Sequence, residues 1–397
     1  MPTLGLRHAS AEQIAQFAQR LIRTRSLSGE EGALATLLVD EMRRVGLEDV
    51  RTDRIGNVIG RIGSGEHPLL MLEGHMDTVG CGDPSAWEYD PFEARIVDGV
   101  LHGLGAVDMK GALAAMVYGA AALRNSATRM KGTLYVVGVV QEEPCEGSAV
   151  RVLVEEEGIR PDYVIIGEAT NLQLSRGQRG RLELRITANG KAAHASAPER
   201  GKNAIYEATR ILVGIELMLP QMEVDSFLGK ASLSVTQIES SSASRNAVPD
   251  RCVMHLDRRL TAGETEAKAV AELKNLIARV SADAVVEVTE HHARSYTGYE
   301  FRARQYLPCW TLQESHPLVL HCARAIERSL RYRPKVGRWD FSTDGVYTAG
   351  VAGIPTVGIG PGEEKYAHTR NEQVKVQHLL DAARVYAQLG ADLLTGA

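Results

Sequence analysis

The fold is decided by three segments, PLLML at residues 68–72, GALAAMVYGAAAL at residues 111–123 and TLYVVGVV at residues 133–140. The first and third are short apolar runs bounded by glycine or charged residues, which is typical of buried strands. The middle segment is rich in small residues and long enough for a helix. Strand and helix alternating in this way predict an α/β sheet covered by helices on both faces.

The pattern changes after Gly180, where six shorter segments follow in the order βαββαβ. That order is typical of a compact antiparallel sheet with two helices on one face, as in ferredoxin-like domains. We therefore predict a discontinuous domain of residues 1–180 and 294–397 and an inserted domain of residues 181–293. The six segments are Arg181–Thr187, Asn203–Leu219, Ala231–Ile238, Cys252–Leu260, Glu264–Val280 and Ala284–Val288.

Composition narrows the class of function. The chain has 397 residues, enough for more than one domain, with 44% hydrophobic and 24% charged residues. No apolar run approaches the roughly 20 residues of a membrane span, so we expect no membrane partner. The net charge is -5 without a long basic run, so we expect no nucleic-acid partner. Chemistry on a small molecule becomes the leading class.

The cysteines and the N-terminus indicate the compartment. Five cysteines are scattered along the chain without a close pair, which argues against a disulfide framework and against a thiolate zinc cluster. Residues Met1–Arg20 lack the apolar block and cleavage site of a secretory signal. We therefore expect a cytoplasmic protein.

Acidic and histidine side chains follow the apolar runs, where ligands gather in α/β sheets. Any one of them alone is more often a solvated surface group, but five such segments together suggest a shared site. Imidazole nitrogen and carboxylate oxygen are the ligands expected of a hydrolytic zinc site. The segments are Met71-Leu-Glu-Gly-His75-Met-Asp77, Gly105-Ala-Val-Asp108, Val140-Gln-Glu142-Glu143, Ile166-Gly-Glu168 and the run from Gly360 to Glu372 that contains Gly362 and His368.

Two local spacings suggest roles. In His75-x-Asp77 on a strand, both side chains lie on one face, so the carboxylate can accept the second N–H of the imidazole and fix its tautomer. The adjacent Glu142 and Glu143 point in different directions. One of them can therefore bind a metal while the other faces a water molecule as a general base.

These motifs resemble, in order, those of metallopeptidase family twenty, the di-zinc deacylases and carboxypeptidases that include acetylornithine deacetylase, succinyl-diaminopimelate desuccinylase, glutamate carboxypeptidase and aminoacylase. The resemblance covers nearly the whole chain. Within the family, the pattern is most similar to a bacterial subgroup of selenium-metabolism-linked hydrolases. The resemblance implies a zinc-exopeptidase-like mixed sheet flanked by helices, with an inserted lid and dimerisation domain. Its motifs are Gly-His75-Met-Asp77-Thr-Val, Asp108-Met-Lys-Gly, Glu142-Glu143, Gly-Glu168 and Ala-His368.

The resemblance implies two zinc ions per subunit, for which cobalt or manganese could substitute on the same ligands. It also implies that Asp77 holds a histidine ligand and that the Asp108-Met109 peptide bond is cis. A water activated by the metals attacks the amide carbonyl, with Glu142 as general acid and base. Asp108 bridges the ions, with His75 and Glu168 on one ion and Glu143 and His368 on the other.

Further residues are implied to contact substrate. His194 matches the lid histidine that stabilises the oxyanion, and it reaches the partner subunit's site in dimeric members. Asn246 and Arg259 match substrate-binding positions, the arginine serving as a clamp for a substrate carboxylate. Arg258 is the alternative clamp, because successive residues of a strand point to opposite faces.

Three other features concern substrate and motion. Asp344, where the deacetylases carry small residues, either pairs with a substrate amino group or caps a helix. Gly362 is a further candidate substrate-binding residue. The family also implies closure of the lid, with hinges near Gly180 and Gly298.

We therefore expect a di-zinc amidohydrolase that cleaves an amide bond of a small carboxylate-bearing molecule, an N-acyl or N-carbamoyl amino acid. A dipeptidase or carboxypeptidase of the same mechanism is the alternative. A catalytically inactive binding homologue is disfavoured because every ligand position and Glu142 are present. The sequence lacks the Gly-x-Ser-x-Gly motif of serine hydrolases, and Cys145 is expected to be structural. We expect a homodimer formed through the lid.

Overall fold

The computed structural model describes residues 8–126 and 128–395. The interpretation of Met1–Arg20 rests partly on residues 1–7, which lie outside the described residues. Among the described helices, none combines the length and apolar character needed to cross a membrane.

Helices and strands alternate along the described chain. The α-helices are α1 (His8–Arg23), α2 (Gly32–Arg44), α3 (Lys110–Arg124), α4 (Ser148–Glu155), α5 (Ala204–Met218), α6 (Glu266–Arg279), α7 (Pro317–Leu330), α8 (Gly345–Thr348) and α9 (Val376–Leu394). The strands are β1 (Glu48–Thr52), β2 (Val58–Gly63), β3 (Leu69–His75), β4 (Arg95–Val97), β5 (Val100–His102), β6 (Thr133–Val139), β7 (Tyr163–Ile166), β8 (Leu174–Gln178), β9 (Gly180–Asn189), β10 (Val224–Asp225), β11 (Gly229–Lys230), β12 (Ser232–Ser241), β13 (Arg251–Leu260), β14 (Ala284–Val288), β15 (Glu290–Arg294), β16 (Glu300–Arg304), β17 (Tyr306–Leu307), β18 (Trp310–Thr311), β19 (Val336–Trp339), β20 (Thr356–Gly358) and β21 (Gln373–Lys375).

The larger sheet has the order β1-β2-β6-β3-β7-β20-β8-β18, with β19 also paired to β8. Strand β3 lies at its centre, parallel to β6 and to β7, and β20 is parallel to β7. Strands β1, β2 and β8 add antiparallel pairs. The sheet is therefore mixed and flanked by helices, as predicted.

Small residues allow the central helix to pack closely. The helix predicted over residues 111–123 is α3, which is almost entirely buried. It lies directly against α9, where a Cβ added at Gly119 would come within 2.9 Å of the Ala383 carbonyl oxygen. A larger residue at Gly119 would therefore push the two helices apart.

A second sheet, with the order β12-β13-β9-β14, is antiparallel throughout. It packs with α5 and α6 around an apolar core of its own, which includes Leu184, Ile211 and Leu273. Apart from the short hairpin of β10 and β11, which precedes β12, the elements follow the predicted order βαββαβ. The exact division of the chain at residues 180/181 and 293/294 stays a prediction.

Candidate metal centre and substrate cavity

The topology brings the acidic and histidine residues to one edge of the larger sheet. His75 is the last residue of β3, and Glu168 comes two residues after β7. Glu142 and Glu143 follow β6, which is parallel to β3. Because the carboxyl ends of parallel strands meet at one edge, these side chains converge there.

Asp108 lies between two histidines. The Nε2 atom of His75 is 2.8 Å from Oδ1 of Asp108 and 3.3 Å from Oε1 of Glu168. The Nε2 atom of His368 is 3.1 Å from Oδ2 of Asp108 and 3.1 Å from Oε2 of Glu143. Asp108 thus presents one oxygen to each histidine, as a carboxylate shared by two metal ions would. The predicted cis bond between Asp108 and Met109 is present.

The electrostatics of this cluster suit cations. Burial disfavours a charge on His75, but its contacts with Asp108 and Glu168 outweigh burial and raise its pKa well above the usual value. Contacts with Asp108 and Glu143 raise the pKa of His368 to about 10. The carboxylates therefore stabilise positive charge between themselves and the imidazoles, and nitrogen and oxygen donors are the set that zinc, cobalt or manganese bind. The residues present fit metal ions.

Glu142 differs from the other acids of the cluster. It is 7% exposed, and its Oε1 atom has no hydrogen-bond partner among the described residues. Burial raises its pKa well above the usual value. Potential ligand atoms of His75, Glu142 and Glu168 all lie within 4.8 Å of one another, as do those of His75, Asp108 and Glu143. Glu143 contacts His368 at 3.1 Å, whereas no contact of Glu142 with that histidine is found among the described residues.

Asp77 is placed differently from the prediction. The imidazole Nδ1 of His75 lies 2.9 Å from the backbone oxygen of Asp77 but 3.6 Å from its carboxylate. The carboxylate instead accepts the backbone N–H groups of Glu142 at 3.1 Å and Glu143 at 3.2 Å, and the hydroxyl of Ser28 at 2.6 Å. The backbone therefore orients the histidine, while the carboxylate anchors the turn that carries both glutamates.

A cavity of about 400 Å³ opens beside the cluster, and the inserted domain contributes Arg181 and Arg259 to its lining. These two arginines are direct partners in the pairing of β9 and β13. Arg259 binds Asp257 through Nε at 2.8 Å and Nη2 at 3.1 Å, and its Nη1 has no partner among the described residues. A larger hollow of about 1270 Å³ beside α6 contains none of the cluster residues.

The arrangement favours Arg259 over Arg258 as a carboxylate clamp. Arg258 is 1% exposed, and its guanidinium is paired with Glu264 and, at 2.7 Å, with Glu272. It therefore belongs to the interior of the inserted domain. Arg259 is on the opposite face of β13 and lines the cavity.

His194 and Asn246 lie next to each other but away from this chain's cavity. The Nδ1 atom of His194 is 2.7 Å from the hydroxyl of Ser196, and both residues are exposed. The backbone oxygen of Asn246 accepts the N–H of Ala195 at 2.7 Å. Neither His194 nor Asn246 lines the cavity beside the metal cluster.

Asp344 and Gly362 do not line the cavity either. Asp344 is 2% exposed and accepts the N–H of Gly147. It stands at the predicted N-cap position of α8, but its side chain makes no cap hydrogen bond there. Gly362 has φ +83°, and a Cβ there would come within 2.9 Å of Val107. Both features favour glycine at this position of the loop that leads to His368.

Two glutamates near the site were given no role by the sequence analysis. Glu372 is buried and accepts the N–H groups of Gly105, Val107 and Asp108 at 3.0, 2.7 and 2.9 Å, so it positions the central aspartate. Glu146 lines the cavity and pairs with Arg181 at 3.0 Å. An isolated glutamate carries no spacing signal for either role, and both depend on contacts between distant parts of the chain.

Most of the chain matches a known protein family. Residues 71–392 match the family described as Peptidase family M20/M25/M40. The chain is 39% identical to the uncharacterized protein YgeY of Escherichia coli (strain K12) over 374 residues, which is 94% of this chain and 93% of YgeY. It is 28% identical to succinyl-diaminopimelate desuccinylase of Corynebacterium glutamicum over 377 residues, 94% of each chain.

A solved structure supports the fold. The YXEP protein of Bacillus subtilis, a dinuclear metal-binding peptidase of the M20 family, superposes with a TM-score of 0.73. The sequences are 16% identical, and the match covers 98% of this chain and all of that one. The chain belongs to peptidase family M20/M25/M40 and is a metal-binding hydrolase of amide or peptide bonds.

Proposed function

We propose that this hydrolase uses two metal ions, zinc by preference, to cleave an amide bond of a small carboxylate-bearing molecule, an N-acyl or N-carbamoyl amino acid. The observation that carries the proposal is the placement of Asp108 between His75 and His368, beside a cavity that Arg259 lines. The Corynebacterium relative is named as a desuccinylase, and removal of a succinyl group from a small molecule supports a small amide substrate for this chain.

Five side chains would hold the ions. Bound metal ions polarise a carbonyl oxygen and lower the pKa of a water molecule to near neutrality. Glu372 keeps the shared aspartate in place through three backbone N–H groups. The ligands in this proposal are His75, Asp108 and Glu168 for one ion and Asp108, Glu143 and His368 for the other.

Glu142 moves the proton. Its unpartnered Oε1 faces no competing donor among the described residues, so it can accept a proton from the attacking water and pass it to the departing amine. Asp77 accepts the backbone N–H of Glu142 and thereby fixes the distance between the Glu142 carboxylate and the substrate. The free Nη1 of Arg259 binds the substrate carboxylate and fixes the orientation of the amide.

We also propose a homodimer formed through the inserted domain. Three apolar residues on one face of α5 are exposed, Tyr206 by 67%, Val213 by 51% and Leu217 by 68%. Ile238 on the outer strand β12 is 51% exposed. A stripe of this kind is suited to an interface. His194, which does not line its own chain's cavity, would then act in the partner subunit's site.

Subunit mixing tests this arrangement. We expect His194→Ala and Glu142→Gln proteins to be inactive separately. If His194 acts across the interface, mixed dimers contain one complete site and recover activity after the subunits are exchanged. No recovery, with subunit exchange verified by mass spectrometry, would place His194 in its own chain's site.

Two further proposals concern the cellular compartment and the subgroup of the family. We propose a cytoplasmic protein, because its five cysteines are free, as expected in a reducing compartment. The assignment to a selenium-metabolism-linked subgroup remains a prediction from the motifs.

A substrate panel tests the function. The panel contains N-acyl amino acids, N-carbamoyl amino acids and dipeptides, assayed with the protein before and after chelation. We expect metal-dependent hydrolysis of a derivative with a free carboxylate, lost in Glu142→Gln and retained in Glu314→Gln, an exposed control. Turnover of dipeptides alone would favour a dipeptidase, and no turnover by the metal-loaded protein would contradict the proposal.

A further inference from the structure

Glu146 is a carboxylate of the cavity for which the proposed reaction has no role. It lies four residues after Glu142 and is 6% exposed. Its Oε1 accepts a hydrogen bond from Nη1 of Arg181 at 3.0 Å. Its Oε2 has no hydrogen-bond partner among the described residues, although the residue lines the cavity. A buried acceptor without a partner is costly, so such an atom in a cavity suggests that a ligand completes it.

The ion pair defines which group can do so. A carboxylate that is paired with a guanidinium offers only acceptors, so the group facing Oε2 must be a donor. Burial raises the pKa of Glu146 to about 7, and above that pH the ionised group repels a second carboxylate or a carbonyl oxygen. Arg181 is held independently by Glu183 at 2.8 Å and Gln305 at 3.2 Å, so Glu146 is not required to hold it in place.

The strand register places this acceptor relative to the carboxylate clamp. Arg181, the partner of Glu146, is directly opposite Arg259 in the antiparallel pair of β9 and β13. The two arginines lie on the same face of the sheet and line the same cavity. A ligand whose carboxylate binds Arg259 therefore has its neighbouring groups within reach of Glu146.

We propose that Glu146 is a specificity-determining residue that binds a substrate N–H group located near the substrate carboxylate, in addition to the scissile amide. This rests on the proposed function and narrows its substrate class. The N–H group is either a charged amino group or the terminal nitrogen of a ureido group. Both offer the donor that Oε2 lacks, whereas an acetyl methyl group or an alkyl side chain does not.

Matched ligands test the proposal by calorimetry. Three compounds with an amino or ureido N–H group in addition to the amide are compared with analogues that have the amide alone. Glycylalanine and N-carbamoylalanine are each compared with N-acetylalanine, and α-N-acetyllysine is compared with α-N-acetylnorleucine. Binding is measured to the metal-loaded Glu142→Gln protein, so that turnover does not interfere. The same measurements are made with Glu146→Gln added, and with Glu314→Gln added as a control at an exposed position.

We expect at least one N–H-bearing ligand to bind about 10- to 100-fold more tightly than its analogue, as for a hydrogen bond to a charged group. Glutamine retains an oxygen for Arg181 and presents an amide nitrogen in place of Oε2, a donor in place of an acceptor. Glu146→Gln should therefore reduce the preference to about twofold or less, while Glu314→Gln leaves it unchanged. A preference for glycylalanine or α-N-acetyllysine identifies an amino group as the donor, and a preference for N-carbamoylalanine identifies a ureido group.

Two results would overturn the inference. One is the absence of any preference between paired ligands in the protein that retains Glu146. The other is a Glu146→Gln protein that weakens both members of a pair equally, since that is the effect of a purely structural residue. Failure of the proposed function is a separate result: a metal-loaded wild-type protein that hydrolyses none of these compounds, whatever the calorimetric ratios.

Discussion

The replacement Asp77→Asn separates two roles for a buried carboxylate of the active site. In the structure, the side chain of Asp77 accepts the N–H groups of Glu142 and Glu143 and the hydroxyl of Ser28. The imidazole of His75 is held by the backbone oxygen, which asparagine retains. We therefore expect the replacement to disturb the position of the general base more than the binding of metal.

The magnitude follows from the donors around the side chain. Asparagine replaces one carboxylate oxygen by a nitrogen that donates. The retained oxygen can keep both the Glu143 N–H and the Ser28 hydroxyl, which share Oδ2, so the Glu142 N–H at Oδ1 loses its acceptor. A hydrogen bond to a charged group contributes about 1.5–3 kcal/mol, and an unsatisfied buried donor costs about 1–3 kcal/mol. We expect a loss of about 3 kcal/mol in the free energy of unfolding.

The assays are urea unfolding of the metal-free protein, metal affinity by chelator competition and kcat. A displacement of Glu142 by about 1 Å lowers the rate about 100-fold, whereas metal affinity should fall less than tenfold. Asp40→Asn, at an exposed position on α2, is the matched control. Loss of metal without loss of stability would refute the reasoning and assign the carboxylate to His75.

Four further replacements test the packing, the clamp and two buried ion pairs. Gly358→Ala would place a methyl group against the buried indole of Trp339 and should lower the free energy of unfolding by about 3 kcal/mol in urea unfolding. The control Gly337→Ala faces open space and should change the free energy of unfolding by less than about 0.5 kcal/mol. Arg258→Met leaves the buried Glu264 unpaired and should lower the free energy of unfolding by about 3–5 kcal/mol. Arg259→Met should instead raise KM about tenfold or more, with little change in the free energy of unfolding. Burial alone would raise the pKa of Glu41, but hydrogen bonds from two arginines and a tyrosine lower it to about 2. Glu41→Gln should therefore cost about 3 kcal/mol at pH 7, and the difference from wild type in unfolding experiments should shrink as the pH falls from about 5 towards 2.

Much of the fold follows from local patterns. The apolar runs around residues 68–72 and 133–140 are the parallel strands β3 and β6, and the alternating segments after Gly180 form the second sheet. The five acid and histidine motifs lie at strand ends or in loops, so their convergence follows once the sheet is predicted.

Residues whose roles depend on tertiary contacts were not predictable in the same way. Strand alternation does not apply to His75 and Asp77 because β3 ends at His75, and the spacing does not reveal that the Glu142 turn supplies the donors to the Asp77 carboxylate. Asp344 is buried and accepts the N–H of Gly147, a contact that the local sequence does not predict. The pairing of Arg181 with Glu146 depends on the register of β9 against the larger domain.

The metal content of the purified protein tests the central claim most directly. We expect close to two metal ions per chain by mass spectrometry, loss of amide hydrolysis on chelation and its return with zinc, cobalt or manganese. Full hydrolytic activity in the metal-free protein, or failure to bind metal after reconstitution, would contradict a two-metal site built on Asp108.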